Sequence, residues 1–159
     1  MQLSHYMTPE SIVVPLKATT KLEVLEELVT ELSKRTGIAN PKSLLHAIEE
    51  REACSSTFLP MGVAVPHARV PEVSDITMIA GIAPEGIMDA GDPSSLTAHV
   101  FCLFFSSTEE KEFGKHLKLL ARIAAVFSDP DFVAKISHMT KPDQIFSAIQ
   151  KRERQIEKE

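Results

Sequence analysis

One histidine directly follows a proline in the segment Gly62-Val-Ala-Val-Pro-His67-Ala-Arg69. Proline fixes its own φ angle and offers no N–H to a sheet, so the next side chain is presented on a rigid backbone. Histidine is the side chain whose ordinary pKa lies near neutral pH, and its neutral imidazole is an available nucleophile. The segment therefore fits a phosphoryl acceptor at His67, although it also fits the plain end of a buried strand.

A second histidine, His116, lies near the predicted start of a helix in residues 115–120. A helix start concentrates positive potential and free N–H groups, which favour anions. If the two imidazoles converge there, the unprotonated one can attack phosphorus while the other donates a hydrogen bond to a phosphate oxygen. The guanidinium of Arg51 is a candidate source of positive charge. Because His116 shares a stripe with leucines, a pure packing role fits as well.

The motifs of other chemistries are missing from the sequence. The chain has six histidines, but none belongs to an HExxH or HxH pair and none has acidic residues at ligand spacing, so we expect no metal site. The sequence contains neither the Gly-x-x-x-x-Gly-Lys loop nor the Gly-x-Gly-x-x-Gly fingerprint of nucleotide-binding proteins, and we therefore expect no nucleotide cofactor. The Gly-x-Ser-x-Gly elbow of serine hydrolases is missing too. We expect surface positions for His5, His46 and His138, and a packed or rim position for His99.

Composition excludes several partners. A net charge of −5 leaves no basic footprint for nucleic acid. Cys54 and Cys102 both sit in apolar, strand-like runs without ligand spacing, which predicts reduced thiols in the core. The sequence shows no secretory leader and no apolar run of membrane length, so we expect a cytoplasmic protein without membrane insertion.

The sequence predicts a pair of helices before the longer strands. The capping-box pattern Thr20-Lys-Leu-Glu23 opens the first helix, and Gly37 ends it. Pro41 opens a second helix, which we expect to end near Arg51.

Strands follow, and then helices again. Alternating apolar patterns predict strands at residues 54–58, 63–65, 76–82 and 99–105, and a loop over 84–93. We expect the loop carboxylates Glu85, Asp89 and Asp92 to be solvated. Helical periodicity returns after Phe105 and predicts three more helices. This order favours an α/β fold, a three-layer α/β/α sandwich with a mixed central sheet.

Three groups of residues, taken in order, resemble a known family. They are Arg51-Glu52 followed by Ser56-Thr57, then the segment from Gly62 to Arg69, then His116-Leu-Lys-Leu-Leu120-Ala-Arg-Ile-Ala124. They resemble enzyme IIA of the bacterial phosphoenolpyruvate-dependent phosphotransferase system (PTS), of the mannitol/fructose/nitrogen-regulatory type. The resemblance runs from residue 3 to about 149. It implies a single EIIA type-2 domain over residues 1–159, with a core of about 3–150 and a charged tail over 151–159.

This resemblance implies a phosphotransferase that works through a phosphohistidine. His67 would take the phosphoryl group, on Nε2, and His116 would contact that group. Arg51 would supply charge or hold the site, and Thr57 would supply a nearby hydroxyl. The donor would be the small carrier protein HPr or its nitrogen-branch relative. The phosphorylated protein would then act on a regulated target protein or on a IIB component. The oligomeric state is left open.

The branch of the family is a separate question. The start of the chain, Met7-Thr-Pro-Glu-Ser-Ile12, looks most like the nitrogen-regulatory type, whose members regulate other proteins. Three alternatives are a free-standing fructose- or mannitol-type IIA that feeds a IIB component, a binding module that has lost transfer, and a hydrolase using the two histidines. Two features depart from many relatives: Ala68 stands where glycine is common, and the loop of residues 58–61 is bulky.

Overall fold

The first two helices form largely where the sequence predicts them in this computed structural model, which describes residues 1–89 and 96–158. Helix α1 spans Lys21–Thr36. The Thr20 hydroxyl oxygen accepts the backbone N–H of Glu23 at 3.3 Å, and this hydroxyl donates to the Glu23 carboxylate at 2.8 Å. Gly37 ends the helix with φ at 75°, a conformation that costs glycine little.

Helix α2 spans Pro41–Cys54 and is longer than predicted. The helix continues for most of a turn beyond Arg51, so Cys54 lies at its end and is exposed to solvent. The predictions of a strand at residues 54–58 and of a core position for Cys54 are therefore wrong. Phe58 keeps only an isolated bridge to Ala64. The second thiol, Cys102, is buried as expected, and burial raises its pKa to about 12.

The sheet is mixed, with one antiparallel pair at its centre. Its strands are β1 (Ile12–Val13), β2 (Val63–Ala64), β3 (His67–Val70), β4 (Thr77–Met88) and β5 (Thr97–Ser107). Strand β4 runs antiparallel to β5 and parallel to β1. On its other side β5 pairs in parallel with both β2 and β3, which follow each other along the same edge.

Part of the predicted loop over 84–93 belongs to the sheet. Strand β4 runs through Met88, and its register with β5 shifts between Ile82 and Ile87. Glu85 is exposed, as expected, but Asp89 is only 3% exposed, so its prediction as a solvated carboxylate is wrong. Residue Asp92 lies outside the described residues.

Helices cover both faces of the sheet and confirm the three-layer α/β/α sandwich. The first helical layer contains α1 and α2. The second contains α3 (Phe113–Val126), α4 (Pro130–Ser137) and α5 (Pro142–Glu157). Alternation along β5 divides the core: Phe101 and Phe105 pack towards α1 and α2, while Cys102 and Phe104 pack towards α3, α4 and α5. Within residues 1–89 and 96–158, no helix has both the length and the apolar character needed to cross a membrane.

The charged C-terminal segment is part of this second layer. Helix α5 continues through residue 157, and Glu153 is only 2% exposed. The Glu153 carboxylate accepts the backbone N–H of Leu3 at 2.8 Å and the guanidinium Nε–H of Arg122 at 2.9 Å. Glu153 is therefore buried although it belongs to the charged segment of residues 151–159, because its partners come from residue 3 and from α3.

Candidate functional site

A cleft of about 490 Å³ lies beside β3, the edge of the sheet. Within the described part of the chain, β3 pairs only with β5, so its other side is open. Both helical layers contribute to the walls of the cleft. Its lining residues are Ala47, Glu50, Arg51, Cys54, His67, Ala68, Arg69 and His116.

His67 begins β3, which corrects the expectation that a strand ends there. The parallel pairing of Ala64 with Phe101 stops at Val65 and resumes where His67 faces Phe104. Pro66 lies in this gap, where its missing N–H interrupts no ladder. The register with β5 is the same on both sides of the gap, so alternation from Val63 and Val65 places the His67 ring on the α3 side of the sheet. There it stacks on the Phe104 ring at 5.4 Å between centroids.

One hydrogen bond defines which ring nitrogen of His67 is free. Nδ1 of His67 lies 2.7 Å from the backbone carbonyl oxygen of Val65. Because a carbonyl can only accept, Nδ1 carries the hydrogen and donates it, and the neutral ring then keeps its lone pair on Nε2. The side chain is 8% exposed. The structure therefore leaves an unprotonated Nε2 as the nucleophilic atom of this ring.

His116 is the fourth residue of α3 and reaches the same cleft from the second helical layer. Its ring centroid lies 5.2 Å from that of His67, and the planes are inclined at 65°. Nδ1 of His116 lies 2.6 Å from the hydroxyl oxygen of Ser106. The residue is 5% exposed, so both histidines are largely buried.

Burial and neighbouring cations keep both imidazoles neutral. Burial is the main cause that lowers the pKa of His67, and the positive charge of Arg51 adds to it, while the hydrogen bond to Val65 opposes it. For His116, burial is the main cause, followed by repulsion from His67 when that ring is protonated and from the charges of Arg69 and Arg51, and together they lower the pKa to about 4. At neutral pH the cleft thus holds two uncharged rings beside two guanidinium groups.

Arg51 reaches the cleft from the last turn of α2, in the first helical layer. One of its Nη1–H groups donates to the backbone carbonyl of Ser55 at 3.1 Å, which restrains the guanidinium. Thr57 lies elsewhere. It is not among the lining residues, and its hydroxyl donates to the Glu52 carboxylate at 2.8 Å. The structure thus brings Arg51, His67 and His116 together and places Thr57 behind them.

A buried ionic cluster supports the segment that follows Arg51. Nζ of Lys21 lies 3.0 Å from the carboxylate oxygens of both Glu52 and Asp89. Glu52 also accepts the backbone N–H of Thr57 at 2.9 Å, and the hydroxyl of Ser56 donates to Asp89. The two carboxylates therefore hold residues 56 and 57 by their hydroxyls and by one backbone group.

Arg69 is a lining residue that the sequence reasoning missed. Its Nε–H donates to the Ser107 carbonyl at 3.1 Å, its Nη2 donates to the Glu109 carbonyl at 3.0 Å, and the guanidinium lies 4.7 Å from the centre of the Phe113 ring. A signal was available. Because side chains alternate along a strand, a residue two positions after His67 must point to the same side.

None of the other histidines is among the lining residues of the cleft, although His46 contacts one of them. His46 is exposed and 3.0 Å from Glu50 on α2, and Nδ1 of His99 lies 3.3 Å from the Pro84 carbonyl. His138 caps α4 and bonds the Ala134 carbonyl through Nδ1 at 2.8 Å.

Comparison with known proteins gives the family of this chain. The family model described as "Phosphoenolpyruvate-dependent sugar phosphotransferase system, EIIA 2" matches residues 5–152. A nitrogen regulatory protein of Bradyrhizobium diazoefficiens is 29% identical over 94% of this chain and 95% of its own length. The fructose-specific EIIABC component of Bacillus subtilis is 25% identical over 94% of this chain, which spans only 23% of that protein.

A solved structure has the same fold. The nitrogen regulatory protein IIA-Ntr of Neisseria meningitidis superposes with a TM-score of 0.80, at 19% identity, over 92% of this chain and 98% of that one. The chain therefore belongs to the EIIA type-2 family of the phosphoenolpyruvate-dependent phosphotransferase system.

Proposed function

We propose that this protein is a phosphohistidine carrier that accepts a phosphoryl group from an HPr-type protein on Nε2 of His67. The observation that carries the proposal is the 2.7 Å contact between Nδ1 of His67 and the Val65 carbonyl. It leaves the Nε2 lone pair free in a cleft that Arg51, Arg69 and His116 line. Arg51, His67 and His116 occur in the order of the family motif, and Arg69 is the last residue of its central segment.

In the proposed transfer, His67 is the only residue of this chain that forms a covalent bond. The Nε2 lone pair attacks the phosphorus of the donor's phosphohistidine and forms a new N–P bond. The donor's own N–P bond breaks, and its electron pair returns to the donor nitrogen. His67 keeps the hydrogen on Nδ1, so its ring gains positive charge, which the Val65 carbonyl oxygen at 2.7 Å stabilises.

Arg51 and Arg69 supply the charge that the transferring group needs. The phosphoryl oxygens carry negative charge through the reaction, and fixed guanidinium groups that line the cleft stabilise it without reorganisation. His116 donates a hydrogen bond to one of these oxygens. Thr57 acts at a distance, since its hydroxyl holds Glu52, the residue that follows Arg51. Positioning of two histidines on two proteins is the main catalytic device.

The direct test is incubation with a phosphorylated HPr-type protein, followed by intact mass measurement. We expect the gain of one acid-labile phosphoryl group in the wild type, its loss in His67→Ala and its retention in His138→Ala. His138 is the matched control because it is a histidine at the end of α4, outside the cleft lining. A wild type that gains nothing from a donor proven on another acceptor would refute the proposal.

For the branch, we favour the nitrogen-regulatory type, in which the phosphorylation state of His67 controls a target protein. The relative from Bradyrhizobium matches over nearly its whole length and carries that name. The alternative is a sugar-type IIA that passes the group to a IIB component, as the name of the EIIABC relative suggests. Incubation of the phosphorylated chain with a fructose-type IIB domain separates them: efficient transfer to IIB would favour the sugar branch.

We further propose that residues 1–159 form one domain of this family and that it works in the cytoplasm, where HPr-type donors would reach it.

The alternative of a binding module without transfer predicts that a partner binds equally to the wild type and to His67→Ala. The hydrolase hypothesis predicts that the protein turns over a simple phosphate ester and that His67→Ala abolishes this activity.

A further inference from the structure

We propose that Ser106 is a positioning residue of the phosphoryl site: its hydroxyl fixes His116 in the tautomer that carries the ring hydrogen on Nε2. The donor role given to His116 above requires this tautomer, so the inference deepens the proposed function and in that respect rests on it. The tautomer itself follows from contacts within the folded chain.

The contact is short and buried on both sides. The Ser106 hydroxyl oxygen lies 2.6 Å from Nδ1 of His116, and the two residues are 1% and 5% exposed. Ser106 is the last residue but one of β5, and alternation along the strand places it on the same side as Phe104, against which both histidine rings pack. Strand and helix therefore fix the two partners independently.

The direction of this hydrogen bond follows from counting donors and acceptors. Within the described residues, the Ser106 hydroxyl has no hydrogen-bond partner other than His116. If Nδ1 of His116 were the donor, the buried hydroxyl hydrogen of Ser106 would have no acceptor, which is unfavourable. If Ser106 donates to the Nδ1 lone pair, both groups are satisfied. A neutral imidazole has one ring hydrogen, which then lies on Nε2.

The two histidines are thereby held in opposite tautomers. A backbone carbonyl, Val65, holds the hydrogen of His67 on Nδ1 and frees the Nε2 lone pair. A hydroxyl, Ser106, does the reverse for His116 and leaves Nε2–H as a donor. The cleft therefore offers one acceptor for phosphorus and one donor for a phosphoryl oxygen. In the other tautomer, the lone pair on Nε2 of His116 would repel that oxygen.

The primary experiment measures the tautomer of His116 directly. Long-range proton–nitrogen NMR of protein labelled with ¹⁵N-histidine distinguishes protonated from unprotonated ring nitrogens at neutral pH. In the wild type we expect His116 with a protonated Nε2 and an unprotonated Nδ1, and His67 with the opposite pattern. A wild type in which Nδ1 of His116 carries the hydrogen overturns the inference, whether or not the protein accepts phosphate.

A set of variants then assigns the effect to Ser106. In Ser106→Ala we expect the two His116 nitrogen signals to move towards an average of both tautomers, while those of His67 stay in place. The matched control is Ser137→Ala, because Ser137 is 2% exposed and its hydroxyl lies 3.2 Å from Nδ1 of His138, outside the cleft lining. It should leave His116 unchanged. Unchanged His116 signals in a folded Ser106→Ala protein would contradict the inference.

Transfer kinetics give a second readout. We expect the rate of phosphoryl transfer to fall about twofold or more in Ser106→Ala, because an even mixture of tautomers leaves the Nε2–H donor in only half of the molecules. Ser106→Thr restores a hydroxyl and should recover both the tautomer and the rate. If the tautomers are as expected but no variant or wild type accepts phosphate, the proposed function fails while the assignment of His116 stands. A normal rate in Ser106→Ala with mixed tautomers would remove the positioning role.

Discussion

Lys21 and Asp89, which lie 68 positions apart in the chain, meet at 3.0 Å in the interior of the protein. Their side chains are 17% and 3% exposed. Burial opposes the charge on Lys21, but its hydrogen bonds to Asp89 and Glu52 outweigh that effect and raise its pKa. One cation therefore joins the start of α1 and the end of β4 to the last turn of α2, from which Arg51 extends.

Removal of the Asp89 carboxylate should lower the free energy of unfolding. In Asp89→Ala, Ser56 loses its acceptor and Lys21 loses one of two partners, and breaking a buried pair of this kind costs about 3 kcal/mol. Urea unfolding measures the loss. Lys111→Ala is the control, because it breaks an ion pair whose side chains are 77% and 60% exposed and should change stability far less. Equal effects of the two substitutions would contradict a structural role for the cluster.

Arg69→Gln should slow phosphoryl transfer about 100-fold, because it removes a fixed positive charge from the cleft. Steady-state kinetics with a phosphorylated HPr-type donor measure the effect, which we expect mainly in kcat. Arg154→Gln makes the same change of charge at an exposed position on α5 and should keep the wild-type rate. A similar loss in both variants would mean that net charge, not the cleft, determines the rate.

Stability should fall in acid in a way that depends on His116. Its folded-state pKa is lowered from 6.5 to about 4, so between these values the unfolded chain binds a proton that the folded protein does not. The stabilisation is complete above about pH 6.5 and is lost as the pH falls towards 4. Urea unfolding across this range should show a shallower decline for His116→Gln than for the wild type. Parallel curves would show that His116 does not titrate as the fold requires.

Two glycine-to-alanine substitutions should change stability in opposite directions. Gly62 has φ at 96°, and a Cβ there would lie 3.3 Å from Cγ1 of Val133, so Gly62→Ala should cost about 2 kcal/mol. In Gly114→Ala the new Cβ would meet no atom within 4 Å, and a helical alanine should stabilise by up to about 1 kcal/mol. Denaturant unfolding of both variants checks the signs. A loss at both positions would show that the α3 start does not favour alanine.

Local sequence signals predicted much of the fold and the members of the cleft. The capping box at Thr20, the glycine at position 37 and the period-3.6 stripes correspond to real helix boundaries and buried faces. Pro66 before His67 and the helix start near His116 pointed to two side chains that do share a cleft. Such signals succeed because each depends on neighbours within a few residues. The catalytic roles of these residues stay predictions.

Signals from distant partners were not available in the sequence. Asp89 and Glu85 look alike in a loop-like segment, but only Asp89 meets a lysine and a serine from other elements. Glu153 looks like one charge in a mixed tail, yet Leu3 and Arg122 bury it. The burial of a carboxylate depends on partners that the fold supplies, and no local pattern encodes them. The direction of the Ser106–His116 hydrogen bond belongs to the same class.

Because residues from two helical layers line the cleft, the site forms only when both layers have folded. Arg51 comes from the first layer, His67 from the open edge of the sheet, and His116 from the second layer. A chain emerging from the ribosome therefore has no complete site until residues beyond α3 have been made and have packed. If the proposed function holds, a partly folded or damaged molecule with one layer detached would not accept a phosphoryl group, so phosphorylation would occur only on molecules whose whole sandwich is intact.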